Sequence, residues 1–158
     1  MRLYFFDASA IAKLVVREKG STEIQELCRS PSVIRTTWFS LAETYTVIKR
    51  RWRKEKWQTP VYYRKLFDLQ KNVQKRIKLD GSINLKDNQF QEVRRVLDQH
   101  RLDFSDALHI VMLKSGFYAA LAGESKPVLV GADKRLLRAA KSEGIVVWNP
   151  EGDQRFPD

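Results

Sequence analysis

The chain opens with an uninterrupted apolar run, Leu3-Tyr4-Phe5-Phe6, which ends at Asp7 and is followed at once by a helical pattern. Because the run has no polar alternation, it predicts a strand that is buried on both faces, as in the middle of a parallel sheet. Asp7 then stands where the strand ends and a helix begins. In open α/β sheets, the carboxyl ends of the strands form the rim at which ligands bind. The opening run therefore predicts both a fold class and the place of a site.

Strand-like and helix-like segments alternate along the rest of the chain. Apolar runs at 127–130 and 145–148 predict two further buried strands, and shorter segments at 33–36 and 83–85 predict two more. The apolar spacing and the residues at the segment ends predict helices at 8–18, 22–29, 38–56, 59–77, 87–99, 107–114 and 134–142. This alternation predicts an α/β fold, a three-layer α/β/α sandwich around a mostly parallel sheet.

Length and composition fit one cytoplasmic domain. We expect the 158 residues to form a single domain over 1–150 with a C-terminal tail at 151–158. Cys28 is the only cysteine, which excludes an internal disulfide and fits a reducing compartment. The first apolar run is too short for a signal peptide. No apolar stretch approaches the roughly 20 residues that a membrane span needs, so we expect no membrane partner.

All of the net charge of +10 lies on one segment of the chain. Residues 49–78 carry 12 basic side chains against Glu55 and Asp68, and the other residues balance at 17 basic and 17 acidic. Such a concentration indicates a surface that binds a polyanion, carried here by a basic helical hairpin. The residues expected to bind the polyanion, and to be the RNA-binding residues if it is RNA, are Lys49, Arg50, Arg51, Arg53, Lys54 and Lys56. A solvated face, or a surface for an acidic partner, is the alternative interpretation.

Both helices of the hairpin also carry an apolar stripe at helical spacing. The predicted stripe positions are Trp38, Leu41, Tyr45, Ile48 and Trp52 in the first helix, and Tyr63, Leu66, Phe67, Gln70 and Val73 in the second. These stripes predict packing in the core or against a second copy of the chain. Trp57 and Tyr62 lie off the stripes, and either packing or stacking on bases fits them.

Four acids stand at positions from which they can converge. Asp7 and Asp133 each follow an apolar strand, Asp106 lies in the first turn of a helix, and Glu43 lies inside a helix between apolar neighbours. If the four meet, they form an oxygen-only site of the kind that Mg²⁺ or Mn²⁺ prefers. The alternative is that Asp7, Asp103 and Asp133 are helix N-caps and that Glu43 is a surface acid. Spacing alone leaves both interpretations open.

Together these motifs resemble the PIN-domain ribonucleases, and within them the VapC-type toxins of toxin–antitoxin pairs. The resemblance rests on the ordered segments Phe6-Asp7-Ala8-Ser9, Leu41-Ala42-Glu43, Ser105-Asp106-Ala107-Leu108-His109, Val130-Gly131-Ala132-Asp133 with Leu136, and Gly144-Ile145-Val146-Val147 with Asn149-Pro150. Each segment is weak alone, but the set covers nearly the whole chain. Gly131 departs from the pattern, because many members carry Thr or Ser there.

The resemblance implies a PIN-like sandwich with about five parallel strands. It also implies a hydrolase, a Mg²⁺- or Mn²⁺-dependent endoribonuclease that acts as a toxin on RNA. Asp7, Glu43, Asp106 and Asp133 would be the catalytic, metal-binding acids, and Ser9 would help to order the site. The implied partners are a small antitoxin and a second copy in a homodimer. The alternatives are a PIN-domain RNA-processing nuclease without an antitoxin and a non-catalytic basic domain that binds RNA or a partner.

Overall fold

The computed structural model describes residues 2–81, 85–152 and 154–157. Within these ranges the chain forms five strands and eight helices. In chain order they are β1 (Leu3–Phe6), α1 (Ala8–Ala12), α2 (Ser21–Arg29), β2 (Val33–Thr37), α3 (Trp38–Lys54), α4 (Thr59–Arg76), β3 (Lys78–Asp80), α5 (Asp87–His100), α6 (Phe104–Lys114), α7 (Phe117–Ala122), β4 (Val128–Val130), α8 (Lys134–Ser142) and β5 (Val146–Trp148).

The strands form one sheet in the order β3-β2-β1-β4-β5, and all four pairings are parallel. The central strand β1 is covered on both faces, as its apolar run predicts. Leu3 and Phe5 pack into a core with residues of α5, α6, α7 and α8. Tyr4 and Phe6 pack into a second core with residues of α1, α2, α3 and α4. The predicted three-layer α/β/α sandwich around a parallel sheet is therefore confirmed.

The strand order reverses beside β1, and this reversal creates the crevice that holds the site. From β1 the chain proceeds outward through β2 to β3, and it then returns to the other side of β1 with β4 and β5. In open parallel sheets, a crevice forms beyond the carboxyl ends of the strands at such a switch point. Asp7 follows β1 here and Gly131 follows β4, so the loops that carry both residues meet at the crevice.

Most predicted elements lie within a few residues of the observed ones, with two notable differences. The first helix ends at Ala12 rather than at residue 18. After Ala12 the amides of Leu14 and Val15 donate to carbonyls three residues back, so the regular α-helix gives way to a tighter turn. The third strand lies at Lys78–Asp80, before the predicted segment 83–85. Residues 83 and 84 lie outside the described residues, and Leu85 is not part of a strand.

Several aromatic residues that the apolar stripes place inside the protein are exposed. Leu41 and Ile48 of α3 are buried as predicted. The exposed stripe members are Trp38, Tyr45, Tyr63 and Phe67, with 57%, 36%, 64% and 66% of their surface accessible. These four residues therefore do not pack in the core, so that part of the prediction is wrong, and packing against a second copy stays a prediction. Only one side of each hairpin helix contacts the rest of the fold. The buried face of each helix is therefore narrower than its apolar stripe.

The C-terminal residues lie against the sheet. The Trp148 indole N–H donates to the Gln154 carbonyl at 3.0 Å, and the ring of Phe156 packs edge-on against Trp148 and Tyr4. One carboxylate oxygen of Glu151 accepts from Lys13 Nζ at 2.6 Å. These contacts tie the segment that follows β5 to the loop that follows α1.

None of the helices in the described ranges combines the length and the apolar composition that crossing a membrane requires.

Candidate metal centre

Three of the predicted acids are brought together by three different elements. Asp7 follows β1, and its amide donates to the carbonyl of Val130 in β4 at 3.0 Å. Glu43 lies in the second turn of α3, and Asp106 lies in the first turn of α6. Each carboxylate offers one oxygen, and these three oxygens all lie within 4.8 Å of one another. The three side chains are therefore close enough to share one cation.

Asp7 is also the N-cap of α1, so both interpretations of this residue apply at once. Its Oδ2 accepts from the Ser9 amide at 3.3 Å and from the Ser9 hydroxyl at 2.8 Å. The same hydroxyl oxygen accepts from the amide of Ala132 at 2.7 Å, in the loop after β4. The Ser9 hydroxyl therefore links the Asp7 carboxylate to that loop, and its ordering role in a metal site stays a prediction.

The position that departs from the motif pattern lies directly against this pair. A Cβ atom at Gly131 would lie 3.2 Å from both Asp7 Oδ2 and Ser9 Oγ. Contacts that short force the neighbouring atoms to shift. The glycine thus makes room for the bond between Ser9 and Asp7.

Burial and mutual repulsion disfavour charge on the three acids. Asp7 is 5% exposed, and its burial raises the pKa of its carboxyl above the ordinary value. Burial raises the pKa of Asp106 to about 7, and the charges of Asp7 and Glu43 add to this effect. Burial also raises the pKa of Glu43, with the charge of Asp7 as the next cause. A bound cation would reverse this balance, because it stabilises the ionised forms.

The donor set fits a hard divalent cation. Carboxylate oxygens from three elements converge, and two of the three acids, Asp7 and Glu43, line a cavity of about 280 Å³ together with Ser9 and Asp133. Within the described residues, no histidine or cysteine belongs to the group. Oxygen-only sites of this kind select Mg²⁺ or Mn²⁺ over the softer metals.

Asp133 lines the same cavity but does not belong to the group of three. Its Oδ1 accepts from the amides of Arg135 at 2.7 Å and Leu136 at 3.2 Å, so it caps α8 as the alternative interpretation predicts. Its charge contributes to the raised pKa of the carboxyls of Asp7, Glu43 and Asp106. Its role as a metal ligand stays a prediction.

Asp103 differs from Asp133, because the cap prediction fails for it. It occupies the N-cap position of α6, but its side chain makes no capping hydrogen bond, so the cap interpretation is wrong for this residue. Its charge contributes to the raised pKa of Glu43 and of Asp106. Asp103 lies three residues before Asp106, so the sequence already places both acids at the start of the same helix. This spacing could have indicated that Asp103 acts electrostatically on the acid cluster.

A buried polar contact behind the acids joins the two helices that carry Glu43 and Asp106. His109 is 1% exposed, and its Nε2 lies 2.8 Å from Oγ1 of Thr37, the N-cap of α3. Burial lowers the pKa of His109 to about 3, so the ring is neutral. Thr37 was not singled out by the sequence patterns, because a threonine before a helix is common as a cap alone.

The predicted RNA-binding residues are distributed over more than one face of α3 and over the turn that follows it. Arg51 lines the acid cavity, and Arg50 acts electrostatically on Glu43. The remaining predicted contacts, Lys49, Arg53, Lys54 and Lys56, are exposed. Three aromatic residues of the hairpin contact each other: Trp52 stacks on Tyr62 with 4.6 Å between ring centroids, and Tyr62 lies 5.4 Å from Tyr63.

The fold is shared with several solved structures. PAE2754 from Pyrobaculum aerophilum aligns over 92% of this chain and 83% of its own, with a TM-score of 0.59 and 22% identity. VapBC2 from Rickettsia felis, bound to a DNA fragment from their promoter, aligns over 93% and 98%, with a TM-score of 0.59 and 15% identity. VapC20 from Mycobacterium tuberculosis, a sarcin-ricin loop cleaving toxin, aligns over 78% and 99%, with a TM-score of 0.51 and 19% identity. No protein-family model matches the sequence, and no curated protein is significantly similar to it.

These matches establish the class of fold. The chain has the fold of VapC-type PIN domains, which confirms at the level of the fold the resemblance carried by the motifs. At these identities the likeness concerns the architecture, and the activity has to be argued from the site.

Proposed function

We propose that this protein is a Mg²⁺- or Mn²⁺-dependent endoribonuclease and the toxin of a toxin–antitoxin pair. The observation that carries the proposal is the convergence of Asp7, Glu43 and Asp106, from three separate elements, at the switch point of a parallel sheet. Burying like charges together is costly unless a cation compensates them. Capping alone does not account for Glu43 or Asp106, since neither caps a helix.

Each residue of the site has a separate task in this proposal. Asp7, Glu43 and Asp106 would hold the metal, Asp133 would complete the acidic rim, and Ser9 would fix the Asp7 carboxylate. When bound, Mg²⁺ or Mn²⁺ supplies a cation that lowers the pKa of a water molecule and polarises a phosphate oxygen. The basic residues of the hairpin would hold the RNA backbone beside the acids, with affinity but without sequence choice.

The toxin assignment and the partners rest on the comparisons together with the surface. VapC20 is a toxin that cleaves the sarcin-ricin loop, and VapBC2 was solved with DNA from its promoter. We infer that this chain has a small antitoxin, and that it forms a homodimer. The exposed aromatic residues Trp38 and Tyr45, which line one surface groove, support partner binding, because large apolar side chains grouped at a surface mark interaction sites. A processing nuclease without an antitoxin is the alternative.

Cleavage of a labelled single-stranded RNA by the purified protein tests the activity. We expect cutting with Mn²⁺ or Mg²⁺ and none with a chelator, and loss of cutting in Asp7→Asn and Asp106→Asn. Asp98→Asn is the matched control, because Asp98 is exposed and, among the residues that the structure describes, its carboxylate pairs only with Arg94 at 4.0 Å. Equal cutting by wild type and both acid-site variants would overturn the acidic site, and no metal-dependent cutting by the wild type would favour the non-catalytic binding domain.

Expression in bacterial cells tests the toxin assignment. We expect growth arrest with the wild type and none with Asp7→Asn, and we expect relief when a small protein encoded beside it is co-expressed. Normal growth with an active enzyme would favour the processing nuclease.

A further inference from the structure

The cavity that holds Asp7 and Glu43 also has a basic side. Lys13, Glu18 and Arg51 line it together with the acids. Glu43, Val47 and Arg51 follow one another on α3 at intervals of four residues, so they lie along one side of the helix. At 1.5 Å of rise per residue, the backbone of Arg51 lies about 12 Å along the helix from that of Glu43. A guanidinium therefore belongs to the same cavity as the candidate metal centre.

This guanidinium is held by a relay of charges that starts at the buried ammonium of Lys13. Arg51 Nη2 donates to Oε2 of Glu18, and the other oxygen of Glu18 accepts from Lys13 Nζ at 2.8 Å. The Lys13 side chain is 1% exposed, and it also donates to the Lys19 carbonyl at 2.9 Å and to Glu151 at 2.6 Å. The three donors of the Lys13 ammonium are therefore in use, so Lys13 fixes Glu18 and Glu18 fixes Arg51.

Arg51 itself keeps donors available. Its side chain is 32% exposed, and its only other partner among the described residues is Glu55, 3.7 Å from Nη1. A guanidinium has five N–H donors in a fork that matches a phosphate. Because this fork is already held in place, it loses less side-chain entropy when it binds. Lys49 and Arg53 are exposed, without an ion pair in the part of the chain that the structure describes, and they do not line the cavity.

We propose that Arg51 binds a phosphate that flanks the scissile one and thereby sets which phosphate of the RNA reaches the acids. This inference rests on the proposed function, because it assigns a substrate contact to the same site. RNA that approaches Asp7, Glu43 and Asp133 meets like charge, and the Arg51 guanidinium offsets this repulsion inside the cavity. Glu18 and Lys13 are positioning residues in this arrangement, since they act on the substrate only through Arg51.

Cleavage of a short single-stranded RNA with Mn²⁺, with the cut positions mapped, tests the assignment. Loss of one charge-assisted contact lowers kcat/KM by roughly 10- to 100-fold, so we expect a loss of this size in Arg51→Ala, with cuts spread over more positions. Arg51→Lys restores only part of the rate, because the ammonium lacks the fork. Glu18→Gln raises KM with a smaller change in kcat. Arg138→Ala is the control, because Arg138 is exposed on α8 and does not line the acid cavity, and its kcat/KM and cut positions stay close to those of the wild type.

The outcomes separate this inference from the proposed function. If the wild type cuts RNA and Arg51→Ala cuts at the rate and positions of Arg138→Ala, the Arg51 inference is wrong and the nuclease assignment stands. If the wild type does not cut with Mn²⁺ or Mg²⁺, both are wrong. Thermal unfolding shows whether Arg51→Ala folds. If it does not, Arg51→Gln and Arg51→Lys replace it in the test, and wild-type kinetics in both of these variants overturns the inference.

Discussion

The acid cluster and the basic hairpin are built in opposite ways. The acid cluster takes Asp7, Glu43 and Asp106 from elements far apart in the sequence, and two of these residues are buried. The hairpin is continuous in sequence, is largely exposed, and carries the whole net charge of the chain. The comparison shows that the two features are encoded differently: one continuous segment supplies attraction for a polyanion, whereas the acid cluster exists only when the tertiary fold assembles it.

The largest effect is expected at the acid cluster. Asp7→Asn removes one of the three charges that meet at the crevice, while the amide keeps an oxygen that can cap α1. Loss of even an outer partner of a metal ligand costs 10- to 100-fold, so we expect at least about 100-fold slower cleavage. Single-turnover RNA cleavage measures the rate, and thermal unfolding measures the fold. Asp98→Asn should keep the wild-type rate, and a similar loss in that control would contradict a localised acid site.

The next effect is expected on the hairpin. Arg50→Ala combined with Lys54→Ala removes two charges at spacings of seven and eleven residues from Glu43, on the same side of α3. We expect about 10-fold weaker RNA binding at low salt, and a salt slope shallower by about 0.7 for each lost phosphate contact. Binding of a labelled single strand without divalent metal, over a range of salt concentrations, measures both quantities.

A matched pair of substitutions outside the hairpin is the control for this double variant. Lys126→Ala with Arg138→Ala removes the same charge from exposed positions elsewhere on the fold. If both double variants lose affinity equally, the RNA responds to the overall charge of the protein and not to the hairpin.

A moderate effect is expected on stability as the pH changes. The folded protein holds a proton on Asp106 up to about pH 7, whereas the unfolded chain releases it near pH 4. Stability of the metal-free protein therefore declines as the pH rises through this window, by on the order of 1–3 kcal/mol. Asp7 adds to the decline, because the pKa of its carboxyl is also raised. Urea unfolding at pH 5 and pH 8 measures this decline in the free energy of unfolding.

Two further measurements test whether the acid cluster causes this decline in stability. Asp106→Asn should flatten the decline, and Mn²⁺ should stabilise the wild type more at pH 8 than at pH 5, because it binds the ionised carboxylates. Stability that rises from pH 5 to pH 8 without metal would contradict the electrostatics described for the cluster.

The smallest effect is expected at Gly131. An alanine there places a Cβ 3.2 Å from Asp7 Oδ2 and from Ser9 Oγ. Crowding of this kind costs about 1 kcal/mol of stability, and we expect cleavage to slow by a few fold as Asp7 shifts. In a double-mutant cycle with Ser9→Ala, the two losses should be less than additive, because removal of the hydroxyl relieves part of the crowding. Additive losses would show that Gly131 acts independently of Ser9.

Local patterns predicted much of the fold. The apolar runs of β1 and β4 and the helix at Lys134–Ser142 were identified because burial on two faces, capping and helical spacing leave signals within a few residues. The third strand was placed too late, because β3 is three residues long and its contacts are distant. Its Asp80 carboxylate accepts from the Arg35 guanidinium of β2 and from the Tyr118 hydroxyl of α7, and neither contact leaves a local signal.

The site was predicted in its parts and not in its assembly. The acids could be identified because they stand at strand ends and helix starts, but a cap and a metal ligand look alike at such places. Asp7 is a cap that also joins the cluster, Asp133 is a cap outside the group of three, and Asp103 occupies a cap position without capping. These three outcomes depend on distances across the fold, which spacing in the sequence does not contain.

The sequence by itself determined the layered fold class, the charge of the hairpin and the acids available for a site, because hydrophobic periodicity and charge are local properties. The tertiary structure decided which acids meet and which basic residue faces them. The reversal of strand order beside β1 brings Asp7 and the loop after β4 to one crevice, and α3 and α6 deliver Glu43 and Asp106 to it. The relay from Lys13 through Glu18 to Arg51 likewise forms only when the chain has closed around a buried ammonium.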